Sequence, residues 1–199
     1  MKELHNNPDA IIKTPVFLDA TCSGIQHLSA LLLDLELGIS VNLSPYKQEA
    51  GPNDIYSDLI EPINKAINIF GEENPNFYSL SLIELNRKII KTSIMTKVYN
   101  VSQYGIARQI ESKLERKEED TIEQISSDLS KSLKQKKKLN LFFAPGKDNT
   151  LVLLNKSDIF KIAEIINNQI FVIFPSLNHI YSYFIDTAKI MVNLGLPFT

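Results

Sequence analysis

Apolar residues recur at intervals of three and four along most of the chain, the signature of helices that bury one face. One stretch reads differently: Thr14-Pro15-Val16-Phe17-Leu18 is a short apolar run that predicts a buried strand, with Asp19 at its end. From Ser23, the spacing of Ile25, Leu28, Leu32 and Leu35 predicts a helix closed by Gly38. The stretch Asn42 to Pro52 is loop-like, and Ile55, Leu59, Ile63, Ile67 and Phe70 predict a second helix ending at Gly71, with Pro62 placed to bend it. After Asn74-Pro75-Asn76 breaks the pattern, a long helix is predicted from about residue 80 to about residue 99, with Gly105 in the segment beyond.

Residues Glu111 to Lys138 are heavily charged, and Ile122, Ile125, Leu129 and Leu133 form a narrow apolar stripe that predicts an exposed helix pair. The Lys136-Lys137-Lys138 run reads first as a solvated face. Ala144-Pro145-Gly146 predicts a turn, Ser157 or Asp158 the cap of a helix running to Phe174, and Pro175 a break. A last helix carries a wide apolar face from Leu177 to Val192 and ends at Gly195. The expected fold class is mixed α/β and mostly helical, without internal repeats or low-complexity sequence.

Composition changes this picture little. With 199 residues, 44% hydrophobic and 22% charged, the chain can bury a core of domain size. A net charge of -2 supplies no overall basic field, so any nucleic-acid role rests on local placement of Lys and Arg. A single cysteine, Cys22, excludes an internal disulfide and a multi-cysteine zinc site and reads as a small apolar residue. No apolar run approaches the roughly 18 residues of a membrane span, and Met1 to Asn7 resembles neither a secretory signal nor an Arg-rich presequence. Nothing in the pattern indicates oligomerisation.

Two groups of residues carry chemistry. Asp19, followed by the small residues Ala20, Thr21, Ser23 and Gly24, leaves room for a metal and phosphates near the backbone, although a strand-end Asp alone is more often a helix cap. Arg87, Lys91, Met95 and Tyr99 are spaced by four and share one helix face. No acidic residue lies between Leu85 and Ile110, whereas Arg87, Lys88, Lys91, Lys97 and Arg108 are basic, a local positive potential that the net charge hides. A triphosphate suits such a face, with Arg and Lys one turn apart on its phosphates. Spacing alone is met equally well by a surface helix with one aromatic core residue.

The run Leu18-Asp19-Ala20-Thr21-Cys22-Ser23-Gly24-Ile25-Gln26-His27-Leu28-Ser29-Ala30 resembles motif A, in the palm of single-subunit DNA-directed RNA polymerases of the phage and mitochondrial type. Ser40-Val41-Asn42-Leu43 and Asp54-Ile55-Tyr56 continue the resemblance, and Arg87 to Tyr99 resembles motif B, the fingers helix. The resemblance spans nearly the whole chain, residues 111 to 150 least. It implies a palm fragment over residues 1–52 and a fingers region over residues 53–199. It also implies template-directed addition of ribonucleoside triphosphates with two magnesium ions, with a DNA template and an RNA product as partners. By the same resemblance Asp19 and the Ala20 carbonyl would ligate metal, Lys91 would be the catalytic lysine, and Arg87 would bind the triphosphate. Tyr99 would sit by the sugar and the template base, and Tyr56 near the nucleotide. Gly24 stands where related DNA polymerases resemble one another in carrying a Glu against the 2'-hydroxyl, and Met95 where they carry an aromatic residue, so ribose is the expected sugar. His27 and Gln26 are read as residues that fix the palm.

Three departures set further expectations. Asn100 stands where the family usually has Gly after the motif B tyrosine, and Asn tolerates the left-handed conformation that such a turn needs. No His-Asp dipeptide, the family's second metal carboxylate, occurs in the sequence, so the chain by itself is expected not to polymerise. Trp is absent and Gly195-Leu196-Pro197-Phe198-Thr199 resembles the lead-in to a family segment that continues with Trp. That pairing leads to the expectation of a mitochondrial or plasmid gene whose UGA codon has been read as a stop, with a degenerate relic as the competing account. The rival functional class is a non-catalytic nucleic-acid-binding or structural remnant.

Overall fold

The computed structural model describes residues 22–44, 51–116, 141–147 and 150–196. The expected strand over residues 14–18, Asp19, Ala20 and most of the predicted charged helix pair lie outside the described residues. Eight α-helices, one 3-10 segment and a three-stranded antiparallel sheet make up the rest: α1 Ser23–Leu32, α2 Leu35–Ser40, α3 Ile55–Asp58, α4 Ile60–Glu73, the 3-10 segment Pro75–Leu82, α5 Arg87–Lys97, α6 Gln103–Glu111, β1 Glu115–Arg116, β2 Phe142–Pro145, β3 Leu151–Leu154, α7 Lys156–Ile173 and α8 Pro175–Asn193. The mixed, mostly helical class is the one the periodicity predicted. A single apolar cluster runs from Ile25 through Leu37, Ile63, Ile67, Leu80, Ile90, Ile94, Ile106, Ile162 and Ile166 to Tyr181, so the described elements share one core. No helix among the described residues is long and apolar enough to cross a membrane.

Several boundaries differ from the sequence reading, each for a local reason. Gly38 does not close a helix: the chain breaks earlier, where Leu33 takes φ 54 and the Asp34 side chain accepts the Leu37 amide to start α2. Gly38 is buried inside α2. The second predicted helix is two, parted at Leu59, and it runs past Gly71 to Glu73. The parting at Leu59 lies three residues ahead of Pro62, which has no N–H to donate to the Asp58 carbonyl. Gly71 serves packing instead, since a Cβ there would lie 2.8 Å from the Leu80 carbonyl carbon of the 3-10 segment.

The long helix predicted from about residue 80 starts only at Arg87, where Asn86 caps the Ile89 amide. Upstream, Ile83 bridges to Gly146 and the Glu84 amide donates to the Pro145 carbonyl, so this part of the chain joins the sheet margin. Pro145 is not in a turn. It pairs with Leu151 in the β2–β3 hairpin, and the reversal lies beyond it, with Gly146 N–H on the Thr150 carbonyl. Glu115 and Arg116 form a strand rather than helix. Asn155, two positions before Ser157 and three before Asp158, the caps expected, caps α7, and Asp158 completes a capping box by accepting the Asn155 amide. Pro175 opens α8 at a position that tolerates it, and Gly195 (φ 64) follows its end.

Candidate functional site

The cleft is built from three short pieces of chain brought against α5. Its floor is α3. Asn42 donates from Nδ2 to the Asn53 carbonyl (2.8 Å) and accepts the Asn53 amide on Oδ1 (2.7 Å), while Asn53 Nδ2 reaches the Ile39 carbonyl (2.8 Å). This bracket delivers Asp54 to the N-terminus of α3, where its Oδ1 accepts the Tyr56 amide (3.1 Å). Tyr56 is thereby turned inward and buried.

The start of α5 is held from behind by Asn64, a buried side chain that donates to the Leu85 carbonyl (2.9 Å) and accepts the Leu85 amide (2.8 Å). Two residues later the helix begins with Arg87. Its back face, Ile89, Ile90, Ser93, Ile94 and Lys97, is buried, so the 3.6-residue period turns Arg87, Lys91 and Met95 outward. The two cations converge on one ring: Arg87 Cζ lies 5.5 Å and Lys91 Nζ 5.3 Å from the centroid of Tyr56. Cys22, Asp54, Tyr56, Arg87, Lys91 and Met95 line a cleft of about 380 Å³.

An adjoining hollow shares Cys22, Tyr56 and Met95 and adds Gly24, Val98 and Tyr99. Tyr99 is not on the helix, which ends at Lys97; it lies in the following turn, whose reversal is completed by Asn100 in the left-handed region (φ 55). The expected tolerance of Asn at that position is therefore used. Gly24 sits against this turn, a Cβ there falling 2.7 Å from Val98 Cγ1 and 3.5 Å from Tyr99 Oη. Tyr99 and Met95 are exposed.

Electrostatics follow from these contacts. Burial pushes the Tyr56 phenol up to about 12, helped by Cys22 and Asp54 nearby. Burial also pushes the Asp54 carboxyl upward, but hydrogen bonds from Arg87 and Ser57, the Arg87 charge and the Tyr56 amide outweigh it and leave Asp54 below its ordinary value. Lys97, on the hidden face of α5, is lowered by burial, with Nζ 4.8 Å from the Phe171 ring and 5.6 Å from the Tyr181 ring.

Six residues expected at the site, Gly24, Tyr56, Arg87, Lys91, Met95 and Tyr99, are thus gathered along one pair of joined hollows. Asp19 and Ala20 fall outside the described residues, and among the described residues no group of three His, Cys, Asp or Glu could hold a metal. Gln26 ties α1 to the end of α2, donating from Nε2 to the Val41 carbonyl (2.7 Å), whereas His27 is exposed on α1. Sequence reasoning missed the parts played by Asp54, the Asn42–Asn53 bracket and Lys97. Only a paired reading of Asp54 with Arg87, 33 positions apart, would have found the first.

A family model described as DNA-dependent RNA polymerase matches residues 1–195. The chain belongs to that family, in its single-subunit form. It is 43% identical, over 99% of its length, to a "Probable DNA-directed RNA polymerase" of Gelasinospora sp. (strain G114), of which it covers 22%. A protein of the same description from Neurospora crassa is 31% identical over 99% of the chain and is covered to 20%. The "DNA-directed RNA polymerase, mitochondrial" of Schizosaccharomyces pombe is 33% identical over 51% of the chain, which covers 8% of it. The chain therefore spans about a fifth of the length of the two fuller polymerase matches.

Proposed function

We propose that this chain is the part of a DNA-directed RNA polymerase that receives the incoming ribonucleoside triphosphate, Arg87 and Lys91 taking the phosphates. The observation that carries this reading is the convergence of those two side chains on the ring of Tyr56 within one cleft. A guanidinium and an ammonium one helical turn apart match the spread charge of a polyphosphate, and Lys91 is placed to stabilise the departing pyrophosphate. Met95, Tyr99 and Gly24, in the adjoining hollow, take the sugar and base. A palm piece (1–52) then meets a fingers piece (53–199) along α5.

Magnesium, when bound, supplies the charge neutralisation that nucleotidyl transfer needs, and Asp19 with the Ala20 carbonyl are the groups assigned to hold it. The family's use of two ions requires a second carboxylate, and no His-Asp dipeptide occurs in this sequence. The chain on its own accordingly binds triphosphate without sustaining DNA-templated RNA synthesis. A mitochondrial setting agrees with the relatives from Schizosaccharomyces pombe, Arabidopsis thaliana and mouse, whose names are those of mitochondrial polymerases.

The test is equilibrium binding of ATP to the 199-residue chain. Lys91→Ala and Arg87→Ala should each weaken it by about tenfold, the scale of losing one charge-assisted contact to phosphate. Binding that is absent in the parent chain, or indifferent to both changes, defeats the assignment.

A further inference from the structure

The geometry points to Asp54 as the positioning residue for Arg87: its carboxylate holds the guanidinium by Nε, so that the edge bearing the two Nη nitrogens faces the cleft for phosphate. This deepens, and rests on, the triphosphate reading above.

Arg87 Nε lies 2.8 Å from Asp54 Oδ2. A guanidinium has two forked edges, one formed by Nε with one Nη and one formed by the two Nη nitrogens. A carboxylate at Nε occupies the first and leaves the second, the fork that matches two oxygens of a phosphate. Asp54 can act as a fixed point because it is itself anchored. Oδ1 accepts the Tyr56 amide, Oδ2 accepts Ser57 Oγ (2.8 Å), and the preceding residue is clamped by Asn42. The Tyr56 ring, 5.5 Å from Arg87 Cζ, gives the same guanidinium a wall to lie against.

Stability does not account for the pair. Both side chains are well exposed, 44% for Arg87 and 39% for Asp54, and exposed ion pairs add little to folding. Asp54 does matter to folding as the cap of α3, but that task uses Oδ1 and leaves the bond from Arg87 to Oδ2 unexplained. Orientation explains it: a long, exposed arginine otherwise samples many rotamers, and fixing it beforehand removes that cost from substrate binding.

The experiment is a double-mutant cycle on the 199-residue chain, with ATP and inorganic tripolyphosphate as probes. Asp54→Asn retains a cap oxygen for the Tyr56 amide and replaces Oδ2, the acceptor that holds Arg87, by an amide nitrogen that can still donate to the Ser57 hydroxyl. It should melt like the parent and bind both probes about two- to fivefold more weakly, the scale of a lost exposed ion pair. In an Arg87→Ala background it should cost nothing further, because Asp54 acts through Arg87. Nitrogen NMR should show the Arg87 Nε–H sharp in the parent and broadened by exchange in Asp54→Asn. Binding unchanged or tightened in Asp54→Asn while Arg87→Ala still weakens it overturns the positioning role and leaves the triphosphate site standing. An equal loss in the Arg87→Ala background overturns it too. If Arg87→Ala does not affect either probe, this role fails, and if Lys91→Ala is without effect as well, the triphosphate reading fails with it.

Discussion

Gly24 and Val98 are packed so closely that a methyl group on Gly24 would stand 2.7 Å from Val98 Cγ1. The glycine that leaves room for a ribose hydroxyl in the sequence reading is also the point at which α1 touches the turn after α5. Val98 is β-branched and stiff about χ1, so it yields poorly. Gly24→Ala should destabilise the fold by about 1–2 kcal/mol through overpacking, and Val98→Ala should recover much of that loss in the double variant. Urea denaturation of the two single variants and the double variant measures both numbers, and strict additivity would show that the contact is not the cause.

Asn64 carries a heavier share. It meets both backbone groups of Leu85, and it is only 8% exposed. Asn64→Ala leaves a buried N–H and a buried carbonyl without their partner, at a cost of about 2–4 kcal/mol. Because Leu85 sits two residues ahead of Arg87, the same change should speed hydrogen exchange at the first turns of α5, which exchange mass spectrometry reads directly.

The capping box of α7 makes a third expectation. Asn155 Oδ1 accepts the Asp158 amide at 3.0 Å, and Asp158 Oδ2 accepts the Asn155 amide at 2.9 Å. Asn155→Ala should lower stability by about 1 kcal/mol, whereas Asn155→Ser, which keeps an acceptor at the cap, should lower it by only a fraction of that. Thermal melts of the two variants separate the cap from the loop.

Alkaline pH should weaken the fold. Burial pushes Tyr181 up to about 12, and Tyr56 likewise stands at about 12, against an ordinary tyrosine value of 10.0. Between those values the folded chain keeps protons that the unfolded chain has released, so the stabilisation is complete below about pH 10 and is lost as pH rises through about 12. Lys97 acts in the opposite sense, since its folded value is lowered and the burden of charging it lifts as pH rises toward 10.5. Stability should therefore fall above pH 10, where the two tyrosines outweigh Lys97, and Tyr181→Phe should shrink that fall. Denaturation curves at several pH values, with phenolate absorbance as the marker, decide it.

Much of this was legible from the chain. The apolar repeats at Ile63, Ile67, Ile90, Ile94, Ile162 and Ile166 are the core itself, because helices reveal their buried face through their period. The four-residue spacing of Arg87, Lys91 and Met95 likewise put them on one outward face. Starts and stops were harder to read. Leu33 breaks a helix in a left-handed conformation for which leucine has no preference, and Gly71 looks like a cap although it is a packing contact with residues nine and ten positions on. The strand at Glu115–Arg116 exists only because Phe142 and Phe143 pair with it, a partnership invisible to local pattern. The bond between Asp54 and Arg87 belongs to the same class, since it forms between segments that meet only in the folded molecule.

Helix α5 keeps its mounting and its chemistry on opposite sides. The hidden side is bolted by Ile90, Ile94 and Lys97, with the Tyr181 hydroxyl donating to the Lys97 carbonyl at 2.7 Å, and the cleft side adds only the exposed Arg87–Asp54 pair and the two cations against the Tyr56 ring. Evolution can therefore rewrite residues 87, 91 and 95 without renegotiating the scaffold. The experimentalist inherits the same freedom, because proteins altered on the cleft side should purify and melt like the parent and report on ligand alone.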